Sequence, residues 1–586
     1  MKNDNLPEQD VDIVIVGLGP TGLTLAHQLG KRGLSVLVLE REPKFYGNAR
    51  AVYTDGECMR IFQSIGMAET LSARMLQKST VQLVLPDGHV FWQLKTHDRQ
   101  HGWPRSHFFY QPYLETDLAE GLNRYPNVCV TRGCEVTRFA QDANGVDVYF
   151  VPTQGQSFGK PVASEDASKS GAAEEEQRVR ARYLIGCDGG RSLVRTQLGI
   201  RMGGKSFPNP WLVVDIKQKN VEEGLHHTPY FNFICDPALP TVSCVQPNGH
   251  HRFEFMLMPG QTREYLEDPA TAQKLLSRHI DVSQFDILRR LVYTFNALMA
   301  ERWRDRRVIL AGDAAHMTPQ FIGQGMNAGV RDAYNLAWKL EAVLRGHAGD
   351  ALLDSFEAER KPHAAAMTRE GIRMKTVVSM TNPLAVMARN VAVRVAQKLP
   401  VIGPFVREGN FIPGAKYKRG GYFGLPRRFW SGCEGTMMPQ PEVLGVDGKL
   451  HKLDESIGNG YALIGAGVDP RQALSEKDRQ MWDALGATYV VIYPWGGRPQ
   501  GGIDRARPIG LVELEDVNEA YFHWLHKHGG KNGCVAIVRP DKFVFGLVQA
   551  HALGLATEAF NRQMDVEHAK RQCVAPATID EMARAA

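Results

Sequence analysis

The stretch Val11-Asp-Ile-Val-Ile-Val16-Gly17-Leu-Gly19-Pro-Thr-Gly22, followed by a helical run to Lys31 and then Leu34-Ser-Val-Leu-Val-Leu-Glu40, decides the fold class. A β-rich run, a glycine turn, a helix over Leu23 to Lys31 and a second apolar strand make a βαβ unit, and with it a parallel sheet. Each glycine in Gly17-x-Gly19-x-x-Gly22 has its own task. The first permits the tight turn, the second lets the backbone approach a pyrophosphate, and the third lets helix and strand pack closely. The helix N-terminus adds unpaired N–H groups and a partial positive charge. Glu40 ends the second strand about twenty residues on, where an acid accepts hydrogen bonds from ribose hydroxyls. Strand, turn, helix and acid in this order predict dinucleotide binding without saying which dinucleotide.

Outward from this unit, the composition of Val151 to Arg178 shifts to Gly, Ser, Glu and Lys, which predicts a solvated excursion of a β-hairpin. From Pro208 to Pro259, runs such as WLVVDIKQ, YFNFIC and HRFEFMLMP predict a mostly antiparallel sheet suited to wall a pocket. A helical stretch is expected from Met326 to about Met380, broken at Asn382-Pro383, with a Gly/Pro/Arg-rich linker over Pro400 to Pro439. Beyond it strands and helices alternate again, with one helix around Val517 to Lys527.

The totals narrow the class. At 586 residues the chain exceeds one ordinary domain, and 43% hydrophobic with 23% charged residues is globular. A net charge of +5 is too small and too dispersed to suggest nucleic acid. The acidic N-terminus does not read as a secretory signal, and no run reaches the roughly 18 apolar residues of a membrane span. The nine cysteines are scattered without C-x-x-C or zinc spacing, so no metal site and reduced thiols are expected. Together these predict a cytoplasmic protein with no membrane partner.

Two later motifs refine the dinucleotide. Tyr183-Leu-Ile-Gly-Cys-Asp188-Gly189-Gly-Arg-Ser192-Leu-Val-Arg195 ends a strand at Asp-Gly. Val308-Ile-Leu-Ala-Gly312-Asp313-Ala-Ala-His316-Met-Thr-Pro319 ends another at Gly-Asp, and Gly323-Gln-Gly325-Met326-Asn327 opens a long helix. With these three elements in order, the sequence resembles the group A flavoprotein aromatic hydroxylases, the family of p-hydroxybenzoate hydroxylase and phenol hydroxylase. The fold this implies is α/β: a Rossmann-like FAD-binding domain with an inserted, mostly antiparallel substrate sheet, plus a C-terminal thioredoxin-like domain. The expected divisions are 1–80, 105–205 and 295–380 for FAD, 81–104 and 206–294 for the sheet, 381–430 as a helical linker, and 431–586 for the last domain. That last domain lacks C-x-x-C, with Cys433 and Cys534 far apart, so a structural or dimer-contact role is expected rather than redox work.

The resemblance implies FAD as cofactor and NADH as transient reductant, with NADPH the alternative, since no second complete fingerprint is present. Gly17, Gly19, Gly22 and Glu40 would hold the adenosine half, with Arg41 beside them. Arg50 and Gln111 match flavin contacts. Asp188 and Arg195 support the cofactor. Gly312 and Asp313 would reach the ribityl chain, while Pro319, Gly325, Met326 and Asn327 would line the flavin, whose reduced anion the helix dipole favours.

For the substrate side, Asp55 matches an acid beside the substrate hydroxyl, where it could take a phenolic proton. The competing reading, equally weighted, is that Asp55 caps the following helix. Arg252 matches a flavin-proximal arginine. Glu254 stands where relatives carry tyrosine and shares a strand face with Arg252, so the two could pair or simply be solvated. His316 is expected to orient backbone near the flavin.

The phrases WPRSHFFYQP and GDAAHMTPQFIGQGMNAGVRDAYNLAWKL resemble the branch acting on 3-(3-hydroxyphenyl)propanoate or 3-hydroxycinnamate. The implied reaction is ortho-hydroxylation to a catechol with O2 through a C4a-hydroperoxyflavin. Rival readings are a hydroxylase of another phenol, resorcinol or polyketide, a flavin reductase or halogenase, or a non-catalytic FAD-binding assembly protein; a homodimer is the expected self-assembly.

Overall fold

The computed structural model describes residues 10–564 apart from 46–49, 78–79, 95–98, 100, 154–175, 208–209, 221–230, 425–431 and 500–509. The elements that position the site are, in chain order, β1 (Val11–Val16), α1 (Pro20–Lys31), β2 (Val36–Glu40), α2 (Gly56–Ser64), β3 (Val128–Arg132), β4 (Gln177–Gly186), β5 (Trp211–Gln218), β6 (His250–Met256), β7 (Phe285–Tyr293), β8 (Val308–Leu310), α3 (Gln324–Leu344), α4 (Asp354–Val378), α5 (Pro383–Ala396) and α6 (Ile402–Arg407). The chain forms two compact units, 1–337 with 360–415, and 338–359 with 416–586.

In the first unit a parallel sheet runs β3-β2-β1-β4-β8. Burial on both faces explains the near-continuous apolar runs of β1 and β2. From β1 the chain passes through α1 to β2 on one side, and only later returns to β4 on the other. That reversal of strand order opens a crevice at the carboxyl ends of the strands, the standard ligand position of such sheets. Gly17 N–H donates to Leu39 O at 2.8 Å and Cys187 N–H to Val16 O at 2.8 Å, so three strand ends are tied together there.

The expected hairpin is present at its base: Val146–Pro152 pairs antiparallel with β4, Phe150 opposite Gln177. The solvated excursion itself, over 154–175, lies outside the described residues. A second sheet of seven strands has the order β7-β5-β6, then Thr241–Val245, Phe231–Ile234, Val81–Val84 and Val90–Gln93. All its pairs are antiparallel except Phe231–Ile234 against Val81–Val84.

The helical stretch expected over Met326 to about Met380 consists of two helices, α3 and α4. Gly346, at φ 74°, supplies the left-handed turn that closes α3, and the motif reading overlooked it. The expected linker contains a helical turn, α6, in its first residues.

The second unit holds a seven-stranded sheet in which Ala462–Ala466, Thr488–Pro494 and Leu511–Asp516 run parallel and antiparallel strands flank them. Alternate residues serve two cores: Ile464, Val490 and Ala536 on one face, Leu463, Tyr489 and Val535 on the other. The expected helix around Val517 begins at Ala520, because Glu519 takes a left-handed conformation. Cys433 and Cys534 are both buried and, among the described residues, form no disulfide. Among the described residues no helix is long and apolar enough to cross a membrane, and no acid, histidine and cysteine group could hold a metal ion.

Candidate active site

At the crevice, the three glycines differ in what surrounds them. A Cβ on Gly22 would collide with the Gly17 carbonyl, and one on Gly17, at φ +100°, with the Cys187 carbonyl. Around Gly19 nothing lies within 4 Å of that position. Gly19 is the N-cap of α1, and no side chain caps the helix, so its first turn faces open space. Glu40 is fixed beside it, accepting from Leu18 N–H at 2.7 Å and Glu42 N–H at 2.8 Å. Arg41 lies on the rim near Glu42 and Glu135, at 3.4 and 3.8 Å. Arg132 sits opposite Glu40 in the β2–β3 register, and two of its buried guanidinium nitrogens have no hydrogen-bond partner among the described residues. Sequence reading missed it, because only the sheet brings β3 alongside β2.

The Asp-Gly and Gly-Asp turns meet through Arg195, which donates to Gly190 O at 2.9 Å and Ala314 O at 3.1 Å. Asp188 accepts from Val194 N–H at 3.1 Å, and its other oxygen is buried without a partner among the described residues. Burial raises its pKa against the opposing hydrogen bonds from Ser192 and Val194. Gly312 N–H donates to Asp332 at 3.0 Å; Asp332 also takes His316 at 2.7 Å and Arg360 at 2.8 Å. Burial disfavours the Asp332 charge, yet His316 and Arg360 overcome it and hold the acid at about 2. His316 thus anchors the Gly312 turn through Asp332. Asp313 is accessible to solvent and yet enclosed by protein, so that burial raises its pKa. An acid lining a cleft inside the protein is what a bound cofactor would cover.

Gln111 braces the opposite wall. Its side-chain oxygen accepts from Arg50 N–H at 2.7 Å and Ala51 N–H at 2.6 Å, and its amide donates to Glu115 at 2.7 Å. After Pro319 the chain turns through Gly323, at φ 63°, into α3. Asn327 closes that turn, donating to Gly323 O at 2.9 Å and accepting from Thr54 at 2.9 Å. A Cβ on Gly325 would have only the Thr318 carbonyl within 4 Å, at 3.9 Å, and Met326 is half-buried beside it. Open glycines at two helix N-termini, an unpaired buried Asp188 oxygen and the cleft acid Asp313 fit a dinucleotide whose phosphates and flavin lie along this crevice.

Of the two readings of Asp55, the geometry carries the cap. Asp55 accepts from Cys58 N–H at 3.0 Å at the start of α2, and also holds Arg331 at 2.5 Å and Gln324 at 3.1 Å. Arg331 reaches Glu57 at 2.8 Å as well. Burial opposes the Asp55 charge, but Arg331, the Cys58 N–H and Gln324 bring it to about 2. Arg252 does not take Glu254 as its ion-pair partner. It lies across β6 from Asp215 on β5, with bonds of 2.7 and 3.1 Å, and donates to Arg50 O at 2.7 Å. Glu254 instead accepts from Gln320 at 2.6 Å, in the segment leading to α3, and burial raises its pKa more than Arg252 and Gln320 lower it. Sequence reading missed Asp215, Gln320, Gln324 and Arg331. For the last two a signal existed, since residues seven apart share one face of a helix.

Fold and site together define an FAD-binding flavoprotein. The FAD binding domain family matches residues 10–371, and the chain belongs to that family, as one of its aromatic hydroxylases. It is 34% identical over 545 residues, 93% of each chain, to 3-(3-hydroxy-phenyl)propionate/3-hydroxycinnamic acid hydroxylase of Escherichia coli O139:H28, and equally to that of Shigella sonnei. The HcaD C-terminal domain family matches residues 435–563. Among solved structures, the flavin-dependent monooxygenase PieE, crystallised with FAD and substrate, aligns with a TM-score of 0.75 at 20% identity, covering 96% of this chain and 100% of that one. Aklavinone-11 hydroxylase, with FAD and aklavinone, gives 0.73 at 22%, with the same coverage. At such identities these two speak for the fold.

Proposed function

We propose that the protein ortho-hydroxylates 3-(3-hydroxyphenyl)propanoate or 3-hydroxycinnamate to a catechol, using O2 and NADH, with NADPH the alternative reductant. The 34% identity, over 93% of each chain, to hydroxylases named for these acids carries the reading. Bound FAD supplies the hydride acceptance and O2 activation; the chain binds, orients and excludes water.

Gly17, Gly19, Gly22, Glu40 and Arg41 hold the adenosine half in this reading. Arg50, Gln111, Asp188, Gly312, Asp313, Pro319, Gly325, Met326 and Asn327 hold the rest. Arg252, neutralised by Asp215, braces the Arg50 backbone against the sheet. Asp55, with its charge committed to Arg331 and its proton affinity low, positions α2 and α3 rather than acting as base. Glu254, with its raised proton affinity, is the better acceptor for the phenolic proton, and a phenolate ring is the stronger nucleophile. The C-terminal unit is read as thioredoxin-like and structural; its parallel strands and the absence of C-x-x-C support this.

The test is product analysis under 18O2. One labelled oxygen in a 2,3-dihydroxyphenyl product supports the proposal. Unlabelled product, or hydroxylation at another position, refutes it.

A further inference from the structure

α5 is apolar on two faces. Val386 and Val393 turn inward, Val393 against the cluster around Val378 and Phe411. On the other side Leu384, Met387, Val391 and Val395 form an outward stripe, with Leu384 72% and Met387 61% exposed. Beyond the end of α5, Val401, the residue before α6, is 86% exposed, and Phe405 within α6 also lies open. An ordinary surface helix shows water its polar side. These six side chains expose on the order of 700 Å², above the roughly 300–600 Å² of the largest patch on a typical monomer and near the ~800 Å² one partner brings to a standard interface.

We propose that this face is the contact between two copies of the chain. The spacing of the stripe suits a two-fold axis. Laid antiparallel on itself about Val391, it sets Met387 opposite Val395 and Leu384 opposite the helix end of the other copy, so one patch is its own complement. The exposed cations Arg394 and Lys398 flank the stripe, and no acid lies between Pro383 and Arg407. The dimer gathers four such cations, two from each copy, around a contact to which these helices bring no acid, so added salt tightens the association by screening them. An anionic membrane, the other surface that would suit apolar and basic residues together, would be released by the same salt. The contact differs from the C-terminal one expected from sequence, and it does not depend on the substrate reading.

The experiment is sedimentation velocity of the flavin-loaded full chain at 1–20 µM, in low and high NaCl. The expected result is a particle of twice the 65.3 kDa chain mass, with at least a several-fold tighter dimer at high salt. Met387→Glu and Val391→Asp should each weaken it more than tenfold while keeping bound FAD. Should either fail to fold, Val391→Cys decides: mild oxidation should link two chains through that residue. A monomeric wild type, a variant that stays dimeric with its FAD, or an uncrosslinked Val391→Cys overturns the proposal. So does a monomer that co-floats with phosphatidylglycerol vesicles, which would assign the face to lipid.

Discussion

Gly19 and Gly22 are three residues apart in one motif, yet the structure gives them opposite fates on substitution. Gly19 has an ordinary extended conformation, φ −73° and ψ −178°, and empty space where a Cβ would go. Gly19→Ala should therefore fold with unchanged apoprotein melting and lose FAD, because the methyl occupies the pyrophosphate's place. Gly22→Ala should lower the melting temperature itself, since its Cβ meets the Gly17 carbonyl. Thermal melts and flavin absorbance of the two variants separate the cases, and equal FAD retention in Gly19→Ala would contradict the cradle. The carboxylates divide as clearly. Asp55→Asn should lower kcat without shifting the pH profile, as befits a positioning residue, whereas Glu254→Gln should lower kcat and remove the acidic limb of that profile. The reverse pattern would return the base to Asp55.

Elements were legible where a periodic signal repeats locally. β1, α1 and β2 could be read from the Val11–Glu40 stretch, because a buried parallel strand and a glycine turn leave marks in consecutive residues. The break between α3 and α4 was missed because apolar periodicity continues across Gly346, and a single left-handed glycine is easily passed over inside a long helical pattern. The Arg252 partner was missed for a different reason. Two positions along a strand share a face, but Asp215 stands directly opposite on the neighbouring strand, and strand pairing is absent from the linear pattern. Side chains that join elements obey the same rule. Asp332 ties α3 to the Gly312 turn, to His316 and to Arg360 of α4, all fully buried. Removing its charge leaves Arg360 short of its partner, so Asp332→Asn should cost about 3–5 kcal/mol, read as a fall in the denaturation midpoint. A loss under 1 kcal/mol would show that this tie contributes little.

The whole molecule carries this burial into its pH response. His27 and His107 are both inaccessible to solvent, and burial lowers each pKa to about 4. The unfolded chain protonates them near 6.5, so between about pH 6.5 and 4 the unfolded state binds more protons and these residues withdraw stability as pH falls. For His107 that is roughly 3 kcal/mol across the window. His107→Gln should flatten the decline between pH 6.5 and 4 in urea unfolding; an unaltered slope would mean the ring is not held neutral.

Coupling of FAD and O2 to a phenolic acid is the reaction proposed for this fold. It is tested most directly by NADH oxidation with the purified yellow protein, with and without 3-(3-hydroxyphenyl)propanoate, following O2 and product together. Strong stimulation is expected, with catechol formed in step with NADH consumed. Stimulation that yields only hydrogen peroxide, or none at all, would contradict the substrate assignment, and a protein purified without flavin would contradict the flavoenzyme reading itself.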